Sequence, residues 1–207
     1  MLEVKNVSAV RDERILFEAL SFTVRPGNLI QIAGRNGAGK TTLLRMIAGL
    51  GDVEQGQILW DGISVCRNRE HFYQHLLYLG HQTGIKRELS AYENLVFYQL
   101  LHQREVQQEA MYYALGRVGL AGKEDLPVSQ LSAGQQRRVA LARLWLSDHL
   151  LWVLDEPLTA IDKQGVHILE NLFLEHIQRG GMIILTTHQT LLEEHPALKK
   201  IHLGEVV

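Results

Sequence analysis

The sequence contains one cysteine, Cys66, in 207 residues. No intrachain disulfide can form, and a lone free thiol suits a reducing compartment. Charge of one sign is also missing: 21 Lys and Arg face 23 Asp and Glu, for a net charge of -2. That balance argues against a protein that coats nucleic acid and leaves room only for a local basic patch. No long apolar run occurs. The most apolar stretch, Val139 to Leu154, is cut by Arg143, Asp148 and His149, whereas a spanning helix needs about 20 mostly apolar residues. The opening Met1-Leu2-Glu3-Val4-Lys5 has no apolar signal core, so no secretory leader is expected. Work at a membrane is therefore expected to go through a partner. What is present is a globular balance, 46% hydrophobic and 21% charged. It excludes disorder as the main description and favours one domain.

The first third alternates β-branched runs with turn signals. Residues 3–10, 20–24 and 28–34 read as strands, with a hairpin turn at 11–14 and Pro26-Gly27 before the third. A helical pattern begins at about Lys40, and 57–62 reads as another strand and turn. From about Ile85 to Pro127 strand signals fade. Leu89, Glu93, Val96, Phe97 and Leu100 keep a helical period, and a second helix is expected over 107–118. The alternating pattern then resumes: a helix over 133–146, a buried strand over 150–154, a helix over 165–179, a strand over 182–187, and a last strand within 201–207. Strands alternating with helices predict an α/β fold with a largely parallel sheet.

Three segments carry chemistry. Gly34-Arg35-Asn36-Gly37-Ala38-Gly39-Lys40-Thr41 fits the phosphate-loop spacing between a strand and a helix. Glycines let backbone N–H groups converge on anionic oxygens, and the helix start adds its positive end. Lys40 is expected at the terminal phosphates and Thr41 at Mg²⁺; the adjoining Thr42 belongs to the same cradle. A glycine-rich turn that binds nothing would not need Lys-Thr at its end. Asp155 and Glu156 follow an apolar strand and fall at its carboxyl end, where open α/β sheets bind ligands. Asp155 is the candidate for Mg²⁺ and Glu156 for polarising an attacking water. A single carboxylate there would read as a plain helix cap; the pair does not. In Leu131-Ser132-Ala133-Gly134-Gln135, Ser132 and Gln135 have the spacing of a capping box. The same residues leave Ser132 and the Gly134 backbone at a second helix start able to meet phosphate. One domain cannot readily aim both helix starts at one nucleotide, but two copies head to tail can.

With these motifs in order, the chain resembles the ATP-binding-cassette ATPases over essentially its whole length. Ser132, Gly134 and Gln135 stand where that family has its signature loop, with Ala133 in place of a glycine. Gln82 matches the glutamine loop that touches Mg²⁺ and senses a membrane partner, Asp162 the loop at the dimer interface, and His188 the switch histidine at the γ-phosphate. The resemblance implies a phosphate-loop NTPase fold in one domain, 1–207. It has a mostly parallel sheet, an antiparallel N-terminal β part and a helical subdomain at about 85–135. It also implies ATP and Mg²⁺, with Thr41, Gln82 and Asp155 as metal residues and Lys40, Glu156 and His188 as catalytic ones. Arg11 stands where the family usually stacks an aromatic residue on adenine. A guanidinium plane can stack on a base, with looser base selectivity; Phe17 is the alternative, although packing is its expected job.

The segments 11–14, 80–86, 131–146 and 154–162 resemble one branch, the ATPase subunits of bacterial cytochrome c maturation, known as haem exporters. This implies a homodimeric ATP sandwich, peripheral on the cytoplasmic face of the inner membrane. It would be bound to a multi-span subunit and small membrane partners, with no nucleic acid. Turnover would power haem export or release of a haem-loaded periplasmic chaperone. Two other classes compete: another small transporter or a nucleic-acid cassette, and a haem module built on His71 and His75. The apolar residues flanking those histidines favour packing, and Cys66 is expected to be partly buried.

Overall fold

The structure, a computed structural model, describes residues 1–192 and 195–204. In chain order the strands are β1 (Leu2–Arg11), β2 (Arg14–Val24), β3 (Leu29–Ala33), β4 (Gln55–Trp60), β5 (Ile63–Ser64), β6 (Leu76–Leu79), β7 (Leu151–Asp155), β8 (Met182–Thr186) and β9 (Leu198–His202). The helices are α1 (Lys40–Ile47), α2 (Arg69–Tyr73), α3 (Ala91–Leu101), α4 (Gln108–Arg117), α5 (Ala133–Ala142) and α6 (Lys163–Gln178). They form two compact units. The first comprises Met1–Gly80, His149–Pro157 and the described residues from Phe173 on; the second comprises His81–Asp148 and Leu158–Leu172.

The first unit holds two sheets. One is antiparallel with strand order β2-β1-β4-β5, and the other has order β6-β7-β8-β3-β9 with every pairing parallel. β2 begins at Arg14, six residues before the expected strand over 20–24. The reason is a tight turn. Asp12 and Glu13 both take positive φ, 50° and 62°, the two-residue hairpin geometry that keeps strand twist. Arg11 and Arg14 pair at once. Bulges at Asn6 and Ala19 then break the period of two that the eye seeks in a sequence. Each bulge is held by a serine: the Asn6 N–H donates to Ser21 Oγ (2.8 Å), and the Ala19 N–H donates to Ser8 Oγ (3.0 Å). β9 lies earlier than the expected 201–207, of which 205–207 fall outside the described residues.

β7 and β8 are buried at every position, as the continuous apolar runs require for central parallel strands. α1 lays Leu43, Leu44 and Ile47 into the same core, at the spacing of one helix face. Each such side chain contributes about 1.5–3 kcal/mol by leaving water. Trp152 of β7 packs edge-on against Phe173 and stacks on His176, with centroids 3.8 Å apart. Burial pushes the His176 ring down to about 4. The unfolded chain therefore binds the extra proton first. Stability from this residue is whole above pH 6.5 and is lost as pH falls towards 4, by on the order of 2–3 kcal/mol. Thermal melts of the wild type should drop across that window. His176→Gln should melt lower at pH 7.5 but show a flatter acid slope, and equal slopes would refute the assignment.

The second unit has its own core of Ala91, Leu95, Met111, Ala114, Leu115 and neighbours. α3 starts with a reciprocal capping box between Ser90 and Glu93. Buried Asn94 ties down the preceding loop: its amide donates to the carbonyls of Lys86 (2.9 Å) and Ser90 (2.8 Å), while its oxygen accepts the Lys86 N–H. α5 ends at Ala142 and tightens into a 3₁₀ turn, Arg143–Leu146, so the α-helix is shorter than the predicted 133–146.

Candidate active site

The phosphate loop joins β3 to α1, and its backbone explains its composition. Gly34, Gly37 and Gly39 have φ of 145°, 82° and 93°. A Cβ on Gly34 would lie 2.9 Å from the Leu203 carbonyl oxygen, and one on Gly39 would lie 3.0 Å from the Leu16 Cβ and 3.1 Å from the Phe17 ring. Positive φ and close neighbours both demand glycine there. Phe17, buried in the core, thus packs beneath the loop as expected of a packing residue. Among the described residues, the N–H groups of Gly37, Gly39, Lys40, Thr41 and Thr42 find no backbone acceptor. They form a concentrated set of donors at a helix start. The Lys40 ammonium spans the loop, donating to the carbonyls of Gly34 (2.8 Å) and Arg35 (3.2 Å).

The acidic strand end is wired to this loop. The Thr41 hydroxyl donates to Asp155 Oδ2 at 2.9 Å, and the Thr186 hydroxyl donates to Asp155 Oδ1 at 2.7 Å. Asp155 is buried and is the register partner of Thr186 across β7 and β8. Thr186 in turn accepts the Glu156 N–H at 2.9 Å. Glu156 stands at φ 51°, a conformation that non-glycine residues take at a cost of order 1–3 kcal/mol and keep where function needs it. Its Oε1 lies 3.4 Å from His188 Nε2. Glu156 and His188 keep 22% and 56% of their side-chain surface exposed, so water reaches both. A hydroxyl and a buried carboxylate 2.9 Å apart are the hard oxygen donors Mg²⁺ takes. That ion usually draws its other ligands from substrate phosphates and water, so the set fits it.

Lys40, Thr41, Thr42, Asn36, Gly37, Gly39, Asp155, Glu156, His188 and Arg11 all line one open cavity of about 600 Å³. Gly34, Arg35 and Ala38 complete the loop. Arg11 is largely exposed and faces Asp12 at 3.6 Å. The sequence reasoning missed Thr186, although its place beside Asp155 is a register relation that the paired motifs imply. It also missed Asp12, Arg14 and Leu16, which line the cavity because β2 starts early.

The remaining site candidates stand in the second unit. Ser132 caps α5: its Oγ accepts the Gln135 N–H (3.3 Å), and the Gln135 side chain accepts the Ser132 N–H (3.0 Å). Gly134 follows within the first turn. Asp162 accepts the Gly165 N–H at 2.8 Å and pairs with Arg138 at 3.1 Å. The Gly165 bond, then Arg138, hold its carboxyl below the usual range. Gln82 is exposed in the segment after β6. In the first unit, His71 and His75 meet edge to face at 4.9 Å, and His75 stacks on Trp60 at 5.6 Å. No group of three metal-ligating side chains occurs among the described residues. Cys66 is exposed, contrary to the expectation of partial burial, because Val65 before it takes the inward position.

A glycine cradle at a helix start, a lysine across it and a threonine–aspartate pair at the neighbouring strand end define a phosphate-loop nucleoside triphosphatase. The ABC transporter profile matches residues 17–159, and the chain belongs to the ABC transporter family, whose ATPase activity goes with it. The cytochrome c biogenesis ATP-binding export protein CcmA of Vibrio cholerae is 65% identical over 205 residues, covering 99% of both chains. The protein of that name from Vibrio vulnificus strain YJ016 is 62% identical, covering 99% of this chain and 100% of its own. Among solved structures, a dimeric ATP-binding cassette in a post-hydrolysis state with ADP and Pi superposes with a TM-score of 0.80. It covers 99% of this chain and 97% of its own at 21% identity, a likeness of fold.

Proposed function

We propose that the chain is the ATPase of a cytochrome c biogenesis export complex on the cytoplasmic face of the inner membrane. Its turnover powers haem export or release of a haem-loaded periplasmic chaperone. The observation that carries the chemistry is the unbroken chain Thr41–Asp155–Thr186–Glu156 with His188 at its end. The loop N–H groups and Lys40 hold the triphosphate, and Arg11 packs on the base. Glu156 accepts the proton of the attacking water, while His188 holds the carboxylate and the water in line. Mg²⁺ would be held by Thr41 and Asp155, with Gln82 as the further metal residue that the family resemblance implies, and would supply charge neutralisation on the phosphates.

The chain works as a twofold dimer. Ser132, the Gly134 N–H and Gln135 of one copy face the nucleotide on the other copy's phosphate loop, an isologous arrangement. No described helix is long and apolar enough to cross a membrane. A multi-span partner subunit with small membrane companions is thus the natural site for the work. The whole chain of 207 residues acts as one cassette, with the helical region of about 85–135 as its subdomain facing that partner. The near-full-length likeness to cytochrome c biogenesis export proteins supports the pathway. Affinity purification of the tagged chain from its native membrane tests it. A co-purifying multi-span subunit of cytochrome c biogenesis is the expected result. Recovery with a transporter of another pathway, or as a free ATPase stimulated by RNA or DNA, would overturn the reading.

A further inference from the structure

Arg143 is buried, at 9% exposure, yet it has no carboxylate partner among the described residues. The nearby Arg104 takes Asp148 instead. The Arg143 guanidinium lies 4.9 Å over the Tyr98 ring, and its Nε is buried with no acceptor. Burial pushes its proton affinity below the usual arginine range. A buried cation without a counter-ion is costly, and an apolar chain of similar length would fill the space more cheaply. The reason for an arginine here must lie in what it holds.

It holds backbone. Arg143 Nη2 donates to the Gly84 carbonyl at 3.3 Å. Earlier on the same helical stretch, Arg137 Nη1 donates to the His81 carbonyl, also at 3.3 Å. The two arginines thus grip the main chain on either side of Gln82. That stretch opens at Ser132, whose capping box fixes its first turn. All of these residues lie within the second unit.

We propose that Arg143, with Arg137, is a positioning residue that ties the Gln82 loop to the helix presenting Ser132, so that the two groups move together during turnover. The proposal rests on the reading of Gln82 and Ser132 as nucleotide-facing residues. It gives one rigid body an interest in two nucleotides: Gln82 serves the chain's own, and Ser132 serves the partner copy's. A guanidinium suits this task because its planar fork fixes direction, which a lysine ammonium does not.

The test is Arg143→Met in the full membrane complex, with ATPase rate measured against both ATP and Mg²⁺. Turnover should fall about tenfold and the Mg²⁺ requirement rise several-fold, as for residues that orient a metal contact. The KM for ATP should stay within about twofold, since the phosphate loop is untouched. The melting temperature should hold or rise, because an unpaired buried charge has gone. Stability held while turnover falls is an outcome that mere packing does not produce. Unchanged turnover and Mg²⁺ dependence, or a rate loss that only follows a lowered melting temperature, would overturn the proposal. If Arg143→Met does not fold, Arg137→Met, at the less buried end of the grip, takes its place: the same slow, Mg²⁺-hungry enzyme is expected, and unchanged turnover overturns the proposal. Gln82→Ala serves as the control. A wild-type rate in that variant would sink the reading of Gln82 and this proposal with it, whereas a slow Gln82→Ala beside a normal Arg143→Met would remove this proposal alone.

Discussion

Glu156→Gln should still bind ATP, hydrolyse it about 10²–10⁴ times more slowly, and collect as a closed dimer in ATP. The geometry makes this substitution clean. The Glu156 backbone is set by φ 51° and by its N–H on the Thr186 hydroxyl, and neither depends on the carboxylate. The amide keeps the size of the side chain and can still meet His188 Nε2 across the 3.4 Å gap. What disappears is the carboxylate proposed to take a proton from water. The proposed donors to the phosphates, Lys40 and the loop N–H groups, are unchanged, so binding energy should be kept while the chemical step stalls. Single-turnover hydrolysis and size-exclusion chromatography in ATP read the two halves separately. A rate within a few-fold of the wild type would remove Glu156 from the role of base and pass it to another cavity residue.

The phosphate loop was legible in the sequence because its backbone demands glycine at fixed places and its chemistry demands Lys40 and Thr41. Asp155 and Glu156 were legible because an apolar strand must end where its polar residues begin. Both are local relations. Thr186 was not legible by itself: a threonine in Met182–Thr186 looks like any β-branched strand residue, and only the parallel register of β7 and β8 sets it beside Asp155. The early start of β2 was hidden for a related reason. The bulges at Asn6 of β1 and Ala19 of β2 are held by hydrogen bonds to Ser21 and Ser8 that join positions far apart in the chain. The grip of Arg137 and Arg143 on residues 81 and 84 is likewise a tertiary fact, since helical spacing alone does not set which carbonyls the two guanidinium groups reach.

Gly134→Asp should fold normally and bind ATP, yet lose at least about 10²-fold in turnover, the loss expected when a preorganised donor site for developing negative charge is removed. Space is not the obstacle. A Cβ at Gly134 would sit 3.6 Å from the Ala160 carbonyl oxygen and 3.7 Å from the Ala160 Cβ, both ordinary contacts. Its φ lies outside the positive region, so a side chain brings no backbone strain. A carboxylate in the first turn of α5 even favours the helix, since anions stabilise helix N-termini by about 0.3–1 kcal/mol. Stability of the free chain should therefore hold or rise slightly. The damage is electrostatic and falls on the other copy: the new carboxylate would point at a triphosphate that Ser132 and the Gly134 N–H are proposed to receive. Mixed dimers separate this from a local defect. Pairing Gly134→Asp with Lys40→Met leaves one composite site with both lesions and one with neither, so about half the wild-type rate per dimer should return if the two sites fire independently. Recovery is the signature of a site shared between copies. Dead mixtures, or a Gly134→Asp chain that turns over normally alone, would show that the Ser132 helix does not face the nucleotide at all.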